Sequence, residues 1–205
     1  MSKQEEKRAL RKRMRQTLLH WLSEAPSPAP TASAACCHLI EQLPEFTQAD
    51  TVLAYMALSE EADCSALIEA AAQHGKQVAL PRVQPGTSDM DFFLLDKTAP
   101  LSTQTTVGAW GIQEPLTTLR RFELETAAGR IFMIVPGVAF SSDGARLGHG
   151  KGFYDRYIAR LAHSAASVCL CGFCFSVQCV AQVPTDCYDR RMDIVVTERE
   201  LVRCI

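Results

Sequence analysis

Two periodicities of apolar and polar residues run along this chain, and the first predicts helices near its start. Over residues 3–22, apolar side chains recur at helical spacing among charged ones, which predicts an amphipathic helix. Its apolar positions are Leu10, Met14, Leu18 and Trp21. Prolines at 26, 28 and 30 then predict a short linker, and residues 31–43 are expected to form a second helix that Pro44 closes.

From residue 51 onward, short apolar runs alternate with helical segments. The expected strands cover residues 51–57, 77–80, 90–95, 131–135, 168–175 and 193–196. Pro81 is expected to stop the second of these strands. The expected helices cover residues 64–74 and 153–163, with a helical tail at Glu198, while residues 97–128 are less regular.

This alternation predicts the fold class. Strands that alternate with helices indicate a three-layer α/β/α, Rossmann-like fold with a largely parallel central sheet. At 205 residues, a single domain over 1–205 is expected. The apolar strands 131–135 and 168–175 should be central. Ligands of such sheets bind beyond the carboxyl ends of the strands, which points to the loop after Val135.

Composition and charge exclude several classes of protein. Apolar residues make up 47% and charged residues 21% of the chain, which is ordinary for a globular protein. The net charge of −2 gives no overall field that would attract nucleic acid. The apolar runs are too short to span a bilayer, and the charged N-terminus does not resemble a secretory signal. We therefore expect a cytoplasmic protein without nucleic-acid or membrane partners.

Nine cysteines raise the alternative of a redox or metal protein. Their odd number and the expected reducing compartment argue against a disulfide framework. Cys171 and Cys174 form a C-x-x-C, but a zinc site would require a second such pair or a histidine pair at metal spacing. Cys169 and Cys171 alternate within an apolar run, as small buried residues do in a strand.

The glycine-rich run after the strand at 131–135 carries the strongest chemical signal. Gly148, Gly150 and Gly152 alternate, which lets the backbone bend tightly and bring its amides against an anion. Lys151 lies among them, Arg146 precedes them, and a helix is expected to begin directly afterwards. These features predict a polyphosphate site, with a structural glycine turn as the alternative.

Asp155 lies in the first turn of the helix that follows this run. A carboxylate there can hold Mg²⁺ against phosphate oxygens, or it can simply favour the positive end of the helix. The run does not match the nucleotide-binding pattern G-x-x-x-x-G-K-[ST], because Phe153 follows Gly152 where a hydroxyl would be required.

The run VPGVAFSSDGARLGHGKGFYDR closely resembles the signature of the 5-formyltetrahydrofolate cyclo-ligases, also called methenyltetrahydrofolate synthetases. Further matches in order are Lys7-Arg-Ala-Leu-Arg11, Glu61, Leu80-Pro81-Arg82, Gly111-Ile-Gln-Glu-Pro115, Gln178, Val183-Pro184 and Asp189. The resemblance covers nearly the whole chain. It implies a ligase of one-carbon metabolism that uses ATP and Mg²⁺ to convert 5-formyltetrahydrofolate into 5,10-methenyltetrahydrofolate, with release of ADP and phosphate.

The resemblance also implies roles for individual residues. The ATP-binding residues would be Lys7, Arg8, Ala9, Leu10, Arg11, Arg146, Leu147, Gly148, His149, Gly150, Lys151, Gly152, Phe153 and Tyr154. The folate-binding residues would be Arg11, Met56, Glu61 and Phe153, and the Mg²⁺ ligands would be Asp155 and Asp189. The plainer alternatives are a solvated basic helix face for Lys7 and Arg11, a helix-start carboxylate for Glu61 and a surface ion pair with the neighbouring arginines for Asp189.

Four positions depart from the family's usual pattern. Ser141 stands where many members have Asp, Phe153 replaces a common Tyr, and Ala62 and Cys64 follow Glu61 in place of a branched residue and Thr. The phosphate and metal groups are unaffected. A nucleotide-binding regulator that has lost catalysis is a second hypothesis, and it predicts loss of Lys151 or Asp155, both of which are present. We expect a monomer.

Overall fold

The computed structural model describes residues 2–24, 26–84, 86–87, 89–108 and 111–204. Its strands are β1 (Thr51–Leu53), β2 (Gln77–Val83), β3 (Met90–Leu94), β4 (Thr105–Val107), β5 (Gln113–Pro115), β6 (Arg130–Val135), β7 (Ala139–Phe140), β8 (Arg146–Leu147), β9 (Ser167–Phe173), β10 (Ile194–Val196) and β11 (Leu201–Arg203). Its α-helices are α1 (Lys3–Leu22), α2 (Ala29–Glu41), α3 (Pro44–Thr47), α4 (Ser65–Gln73) and α5 (Phe153–Leu161). Short 3₁₀ turns cover Leu101–Thr103, Leu124–Thr126 and Ser176–Gln178.

Seven strands form the central sheet in the order β11-β10-β9-β6-β1-β2-β3. The five inner strands are parallel, while β3 and β11 join the two edges antiparallel to their neighbours. The prediction of a largely parallel sheet is therefore confirmed, and β6 and β9 lie near its centre as expected. Two small antiparallel pairs, β4–β5 and β7–β8, lie outside this sheet.

Both faces of the sheet are covered by helices, as the alternating pattern predicts. The side chains of β6 divide between two apolar clusters because successive residues of a strand point to opposite faces. Phe132 and Ile134 pack with residues of α2 and α4, whereas Met133 and Val135 pack with Tyr157 and other residues of α5. In the described part of the chain, no helix combines the length and apolar character needed to cross a membrane.

Several of the sequence-based boundaries differ from those of the structure. The first expected strand ends at Leu53 instead of residue 57, and Pro30 lies inside the first turn of α2, where its missing amide is not needed. Pro81 does not stop β2, which continues to Val83. Since β1 ends at Leu53, Pro81 pairs only with Phe92 of β3, so proline interrupts no ladder on its other side.

The helical tail expected at Glu198 is wrong. The Thr197 amide donates to the Glu200 carbonyl (2.9 Å), and the Glu200 amide donates back to the Thr197 hydroxyl (3.1 Å). This tight turn reverses the chain, so Leu201–Arg203 returns as β11 beside β10. The hydrogen bonds of Thr197 stabilise this turn and outweigh the helix propensity of Glu198, Arg199 and Glu200, which had suggested a helix.

Helix α1 is attached to the rest of the protein through a stripe of apolar side chains. It begins at Ser2, whose hydroxyl accepts from the Glu5 amide while the Glu5 carboxylate accepts from the Ser2 amide. Leu10 and Met14 pack against the β7–β8 hairpin, and Leu18 joins the main core. This apolar stripe fixes the position of the basic residues on the same helix.

Replacing Met14 with alanine should destabilise the protein by about 2–5 kcal/mol, because the change leaves a cavity between α1 and the hairpin. The Met14 side chain is only 4% exposed, whereas Leu19 on the same helix is 43% exposed. Leu19→Ala is the matched control and should change the free energy of unfolding by less than about 0.5 kcal/mol. Urea denaturation measures both, and equal effects would show that the apolar stripe does not anchor α1.

Candidate active site

A cleft of about 920 Å³ opens beyond the carboxyl ends of the parallel strands. Its walls come from α1, the segments after β1 and β6, the ends of β2 and β5, the start of β3 and α5, and the loop before β10. The position agrees with the expectation that a ligand of this fold binds after Val135. By chemical type, its lining residues divide into an apolar side and a charged side. The apolar side includes Tyr55, Met56, Leu58, Pro81, Val83, Met90, Ile112, Pro136 and Phe153.

The glycine-rich run forms a tight loop between β8 and α5. Gly150 and Gly152 have φ angles of 101° and 70°, which other residues rarely adopt, so these two glycines are required by the turn. The Arg11 side chain of α1 donates from Nε to the Gly148 carbonyl at 2.8 Å. Lys151 lines the cleft, and its ammonium group makes no ion pair with any residue that the structure describes.

Arg146 lies beneath this loop with its side chain only 3% exposed. Its guanidinium donates to the Pro136 carbonyl (3.2 Å) and to the Asp155 carboxylate (3.0 Å), and it lies 5.6 Å from the centre of the Tyr154 ring. Its Nε has no hydrogen-bond partner among the described residues. A buried donor without a partner is costly, so an anionic ligand would be favoured here.

Lys7 of α1 reaches across the charged side to the loop before β10. Its ammonium, with a side chain 6% exposed, lies 2.7 Å from Asp186 Oδ2 and 2.5 Å from Asp189 Oδ2. Burial alone would lower the pKa of Lys7, but the hydrogen bonds and charges of the two aspartates outweigh it and raise that pKa. Lys7 therefore stays charged, and its hydrogen bond is the main reason why the pKa of Asp186 is lowered.

Glu61 and His149 join the two sides of the cleft. Glu61 Oε1 lies 3.3 Å from His149 Nε2 in the glycine-rich loop, and Glu61 Oε2 accepts from the Leu58 amide at 3.0 Å. The half-buried Tyr154 lies nearby. Its burial, and then the charge of Glu61, raise the pKa of Tyr154 well above its ordinary value, so its phenol keeps its proton. Glu61, which is predicted to bind the folate, is thus in contact with His149, which is predicted to bind ATP.

The structure brings most of the predicted site residues into this cleft. Those that line it are Lys7, Arg11, Met56, Glu61, Arg146, Gly148, His149, Gly150, Lys151, Gly152, Phe153, Tyr154, Asp155 and Asp189. Arg8 and Ala9 are exposed and outside its lining, while Leu10 and Leu147 are buried together in an apolar cluster. A helix turns each successive side chain by about 100°, so five consecutive residues of α1 cannot all face one ligand.

Several lining residues were not singled out from the sequence. They include Tyr55, Glu114, Asp186 and Tyr188. Burial raises the pKa of Glu114, although Arg82, 3.8 Å away, opposes the shift. Asp186 precedes Asp189 by three residues, and that spacing of acids was the available signal. Nothing in the local pattern marks Tyr55, which is the second residue after the end of β1.

The fold brings Asp155 next to the loop that carries Asp189, although the two aspartates are 34 positions apart in sequence. Asp155 Oδ1 accepts from the amide of Arg190, the residue after Asp189, at 3.2 Å. The arginines beside Asp189 are not its partners, since Lys7 pairs with it. The described residues hold no group of three or more potential metal ligands, but Mg²⁺ commonly binds through one or two carboxylates together with phosphates. The two aspartates therefore fit Mg²⁺.

Seven of the nine cysteines are buried or half-buried. All nine are free, and Cys171 and Cys174 are buried at the end of β9 and just beyond it. Burial raises the pKa of both Cys36 and Cys37 to about 12, so these thiols remain protonated at neutral pH. Cys169 packs on the same cluster as Cys171, as the alternating apolar pattern predicts.

Comparison with known proteins supports the resemblance. A sequence model described as the 5-formyltetrahydrofolate cyclo-ligase family matches residues 3–198. A probable 5-formyltetrahydrofolate cyclo-ligase of Schizosaccharomyces pombe is 32% identical over 183 residues, covering 84% of this chain and 87% of the relative. The 5-formyltetrahydrofolate cyclo-ligase of Escherichia coli K12 is 30% identical over 75% of this chain and 81% of its own length.

Solved structures agree with this likeness. The NMR structure of 5,10-methenyltetrahydrofolate synthetase from Aquifex aeolicus superposes with a TM-score of 0.75 at 29% identity, covering 96% of this chain and 92% of that one. A 5,10-methenyltetrahydrofolate synthetase from Mycoplasma pneumoniae, at 20% identity and a TM-score of 0.67, covers 94% of this chain and 98% of its own and supports the fold.

The turn between β7 and β8, which positions Arg146, should lose stability in acid. Hydrogen bonds from Ser141 and then Arg191 lower the pKa of Asp143 to about 2. Because the folded pKa lies below the unfolded value, this stabilisation is present above about pH 4 and lost as pH falls towards 2. Asp143→Asn should therefore lower the free energy of unfolding most above pH 5, with the difference shrinking towards pH 3. A difference independent of pH in urea denaturation would contradict this assignment.

Proposed function

The chain belongs to the 5-formyltetrahydrofolate cyclo-ligase family, and on this premise we propose that its cleft binds ATP and 5-formyltetrahydrofolate side by side. The family catalyses the ATP-dependent conversion of 5-formyltetrahydrofolate into 5,10-methenyltetrahydrofolate, with release of ADP and phosphate. The observation that carries the proposal is the contact between His149 of the glycine-rich loop and Glu61 after β1. It brings a phosphate-type loop and a carboxylate suited to pterin donors into one cleft.

The charged side of the cleft suits the ATP phosphates. Lys151 has an ammonium without an ion pair in the described structure, and the buried Arg146 retains an unsatisfied Nε donor. Lys7 and Arg11 approach from α1, so positive charge surrounds the loop from two elements. Phosphoryl transfer requires such charge neutralisation and alignment more than it requires a protein nucleophile.

The apolar side suits the flat pterin and benzoyl groups of the folate. Met56 and Phe153 supply apolar surface, and Glu61 offers a carboxylate oxygen to the ring's N–H donors. The His149 side chain is exposed, so a donor group of the ligand can replace His149 as the partner of Glu61. Phe153 carries no hydroxyl, so any contact with the folate is through the face or edge of its ring.

Asp155 of α5 and Asp189 of the loop before β10 would together hold Mg²⁺. The ion supplies charge neutralisation for the phosphate oxygens when it is bound. Each aspartate pairs with a cationic side chain, Asp155 with Arg146 and Asp189 with Lys7. Neither carboxylate is therefore an isolated buried charge.

The reaction follows from placing the two substrates together. The formyl oxygen attacks the γ-phosphorus of ATP, and the bond to ADP breaks. N10 then attacks the activated formyl carbon and loses its proton to the solvent, the carbon–oxygen bond breaks so that phosphate leaves with the former formyl oxygen, and the five-membered ring is closed. The chain's own residues align the two molecules, balance the phosphate charge and exclude water from the activated carbon.

The alternative of a catalytically inactive nucleotide-binding protein is less well supported. Its expected loss of Lys151 or Asp155 has not occurred, and both residues line the cleft. We further propose that the chain functions as one domain, as a monomer and in the cytoplasm. The nine free cysteines support a reducing compartment.

Removal of the proposed phosphate and metal groups should abolish turnover without unfolding the protein. Lys151→Ala and Asp155→Asn should each lower kcat/KM by a factor on the order of 100 or more. Asparagine is preferred at 155 because its amide oxygen can still accept the hydrogen bond from Arg146, which alanine would leave unmade. The measurement follows methenyl absorbance with 5-formyltetrahydrofolate and Mg·ATP.

Lys12→Ala is the control for this assay, because Lys12 is an exposed lysine on α1 outside the cleft lining. It should retain the wild-type rate. Absence of any ATP-dependent signal from correctly folded wild-type protein would disprove the proposed function. Near-normal rates in either site variant would disprove the corresponding assignment.

A further inference from the structure

Asp186 has no role in the reaction as described, yet it binds an almost fully buried ammonium group. Lys7 Nζ lies 2.7 Å from Asp186 Oδ2 and 2.5 Å from Asp189 Oδ2, with the lysine side chain 6% exposed. Two carboxylates thus share one cation. Only the second belongs to the residues that the resemblance associates with Mg²⁺.

The loop holds Asp186 in a fixed orientation. Asp186 Oδ1 accepts from the Tyr188 amide at 3.0 Å, while the Asp186 amide donates to Asp189 Oδ2 at 2.8 Å. The Asp189 amide donates back to the Asp186 carbonyl at 3.3 Å. One oxygen of Asp186 therefore stabilises the turn, and the other is available to Lys7.

A conflict arises when nucleotide and metal bind. Asp189 cannot serve Lys7 and Mg²⁺ equally, because both are cations that compete for its oxygens. A buried ammonium that loses its partner is strongly disfavoured. Asp186 is the one remaining carboxylate within hydrogen-bond distance of Lys7 among the described residues.

We propose that Asp186 is a positioning residue that retains Lys7 when Asp189 turns to the metal. This inference rests on the proposed function and deepens it. Asp186 orients the lysine ammonium towards the nucleotide phosphates and releases Asp189 from its ion pair. Without Asp186, Lys7 depends on Asp189 alone and competes with Mg²⁺ for it.

A double-mutant cycle on nucleotide binding tests the proposal without requiring turnover. Calorimetry measures the affinity of Mg·ADP for wild type, Asp186→Asn, Lys7→Met and the double variant. Asp186→Asn should weaken binding about tenfold, whereas the same change in the Lys7→Met background should alter it less than about twofold. Asparagine can still accept from the Tyr188 amide, so the turn is preserved.

A kinetic measurement compares the KM for Mg²⁺ with the KM for 5-formyltetrahydrofolate, and we expect only the first to change. In Asp186→Asn, the apparent KM for Mg²⁺ at saturating ATP should rise about tenfold, while the KM for 5-formyltetrahydrofolate should stay within about twofold of wild type. Asp186→Glu keeps the charge and should recover part of the loss. A variant that merely loosened the fold would change both KM values together.

Glu45→Gln is the matched control. Glu45 of α3 pairs with Arg203 of β11 at 2.5 Å, outside the cleft lining, so this variant also removes a carboxylate from an ion pair. It should leave Mg·ADP affinity unchanged. Additive effects in the cycle, or an Asp186→Asn affinity within twofold of wild type, would overturn the inference. If Asp186→Asn does not fold, Asp186→Ser replaces it in the cycle with the same expected tenfold loss, because serine also removes the carboxylate but leaves a hydroxyl that can accept from the Tyr188 amide. Failure of wild type to bind Mg·ADP would instead overturn the proposed function.

Discussion

The docking of α1 across the carboxyl ends of the sheet is the constraint on which the site depends. Leu10 and Met14 attach the helix to the β7–β8 hairpin, and the polar contacts follow from that placement. Arg11 then reaches the Gly148 carbonyl, and Lys7 reaches the aspartates before β10. Apolar packing supplies the attachment, while the ionic contacts set its orientation, because the cost of removing buried charges from water offsets much of what an ion pair contributes to stability.

Much of the fold was predictable because its signals are local. The apolar periods of α1, β6 and β9 depend on neighbouring residues only, and they indicated the elements and the central strands correctly. The predicted boundaries were wrong where a single contact determines how an element ends. Examples are the Thr197–Glu200 turn and the end of β1 at Leu53. Tertiary context overrides local propensity at such positions.

The site divided in the same way. The glycine-rich run and Asp155 could be interpreted from the sequence alone, since a turn, cations and a helix start are adjacent there. Lys7, Glu61 and Asp189 required the family resemblance, because nothing local separates them from solvated charges. The α1 residues that the resemblance assigns to ATP include Leu10, whose side chain is buried in an apolar cluster instead of lining the cleft. Asp186 could be recognised only from its distance to Lys7.

The pairing of Lys7 with Asp189 also has a consequence for the way this chain acquires its shape. The two residues are 182 positions apart, so their contact closes almost the entire polypeptide. Closure of so long a loop costs chain entropy that only the assembled core can offset. During synthesis the glycine-rich loop and all the parallel strands except β10 emerge before residue 189 does. The charged half of the cleft is therefore completed last, after the ribosome has delivered nearly all of the molecule.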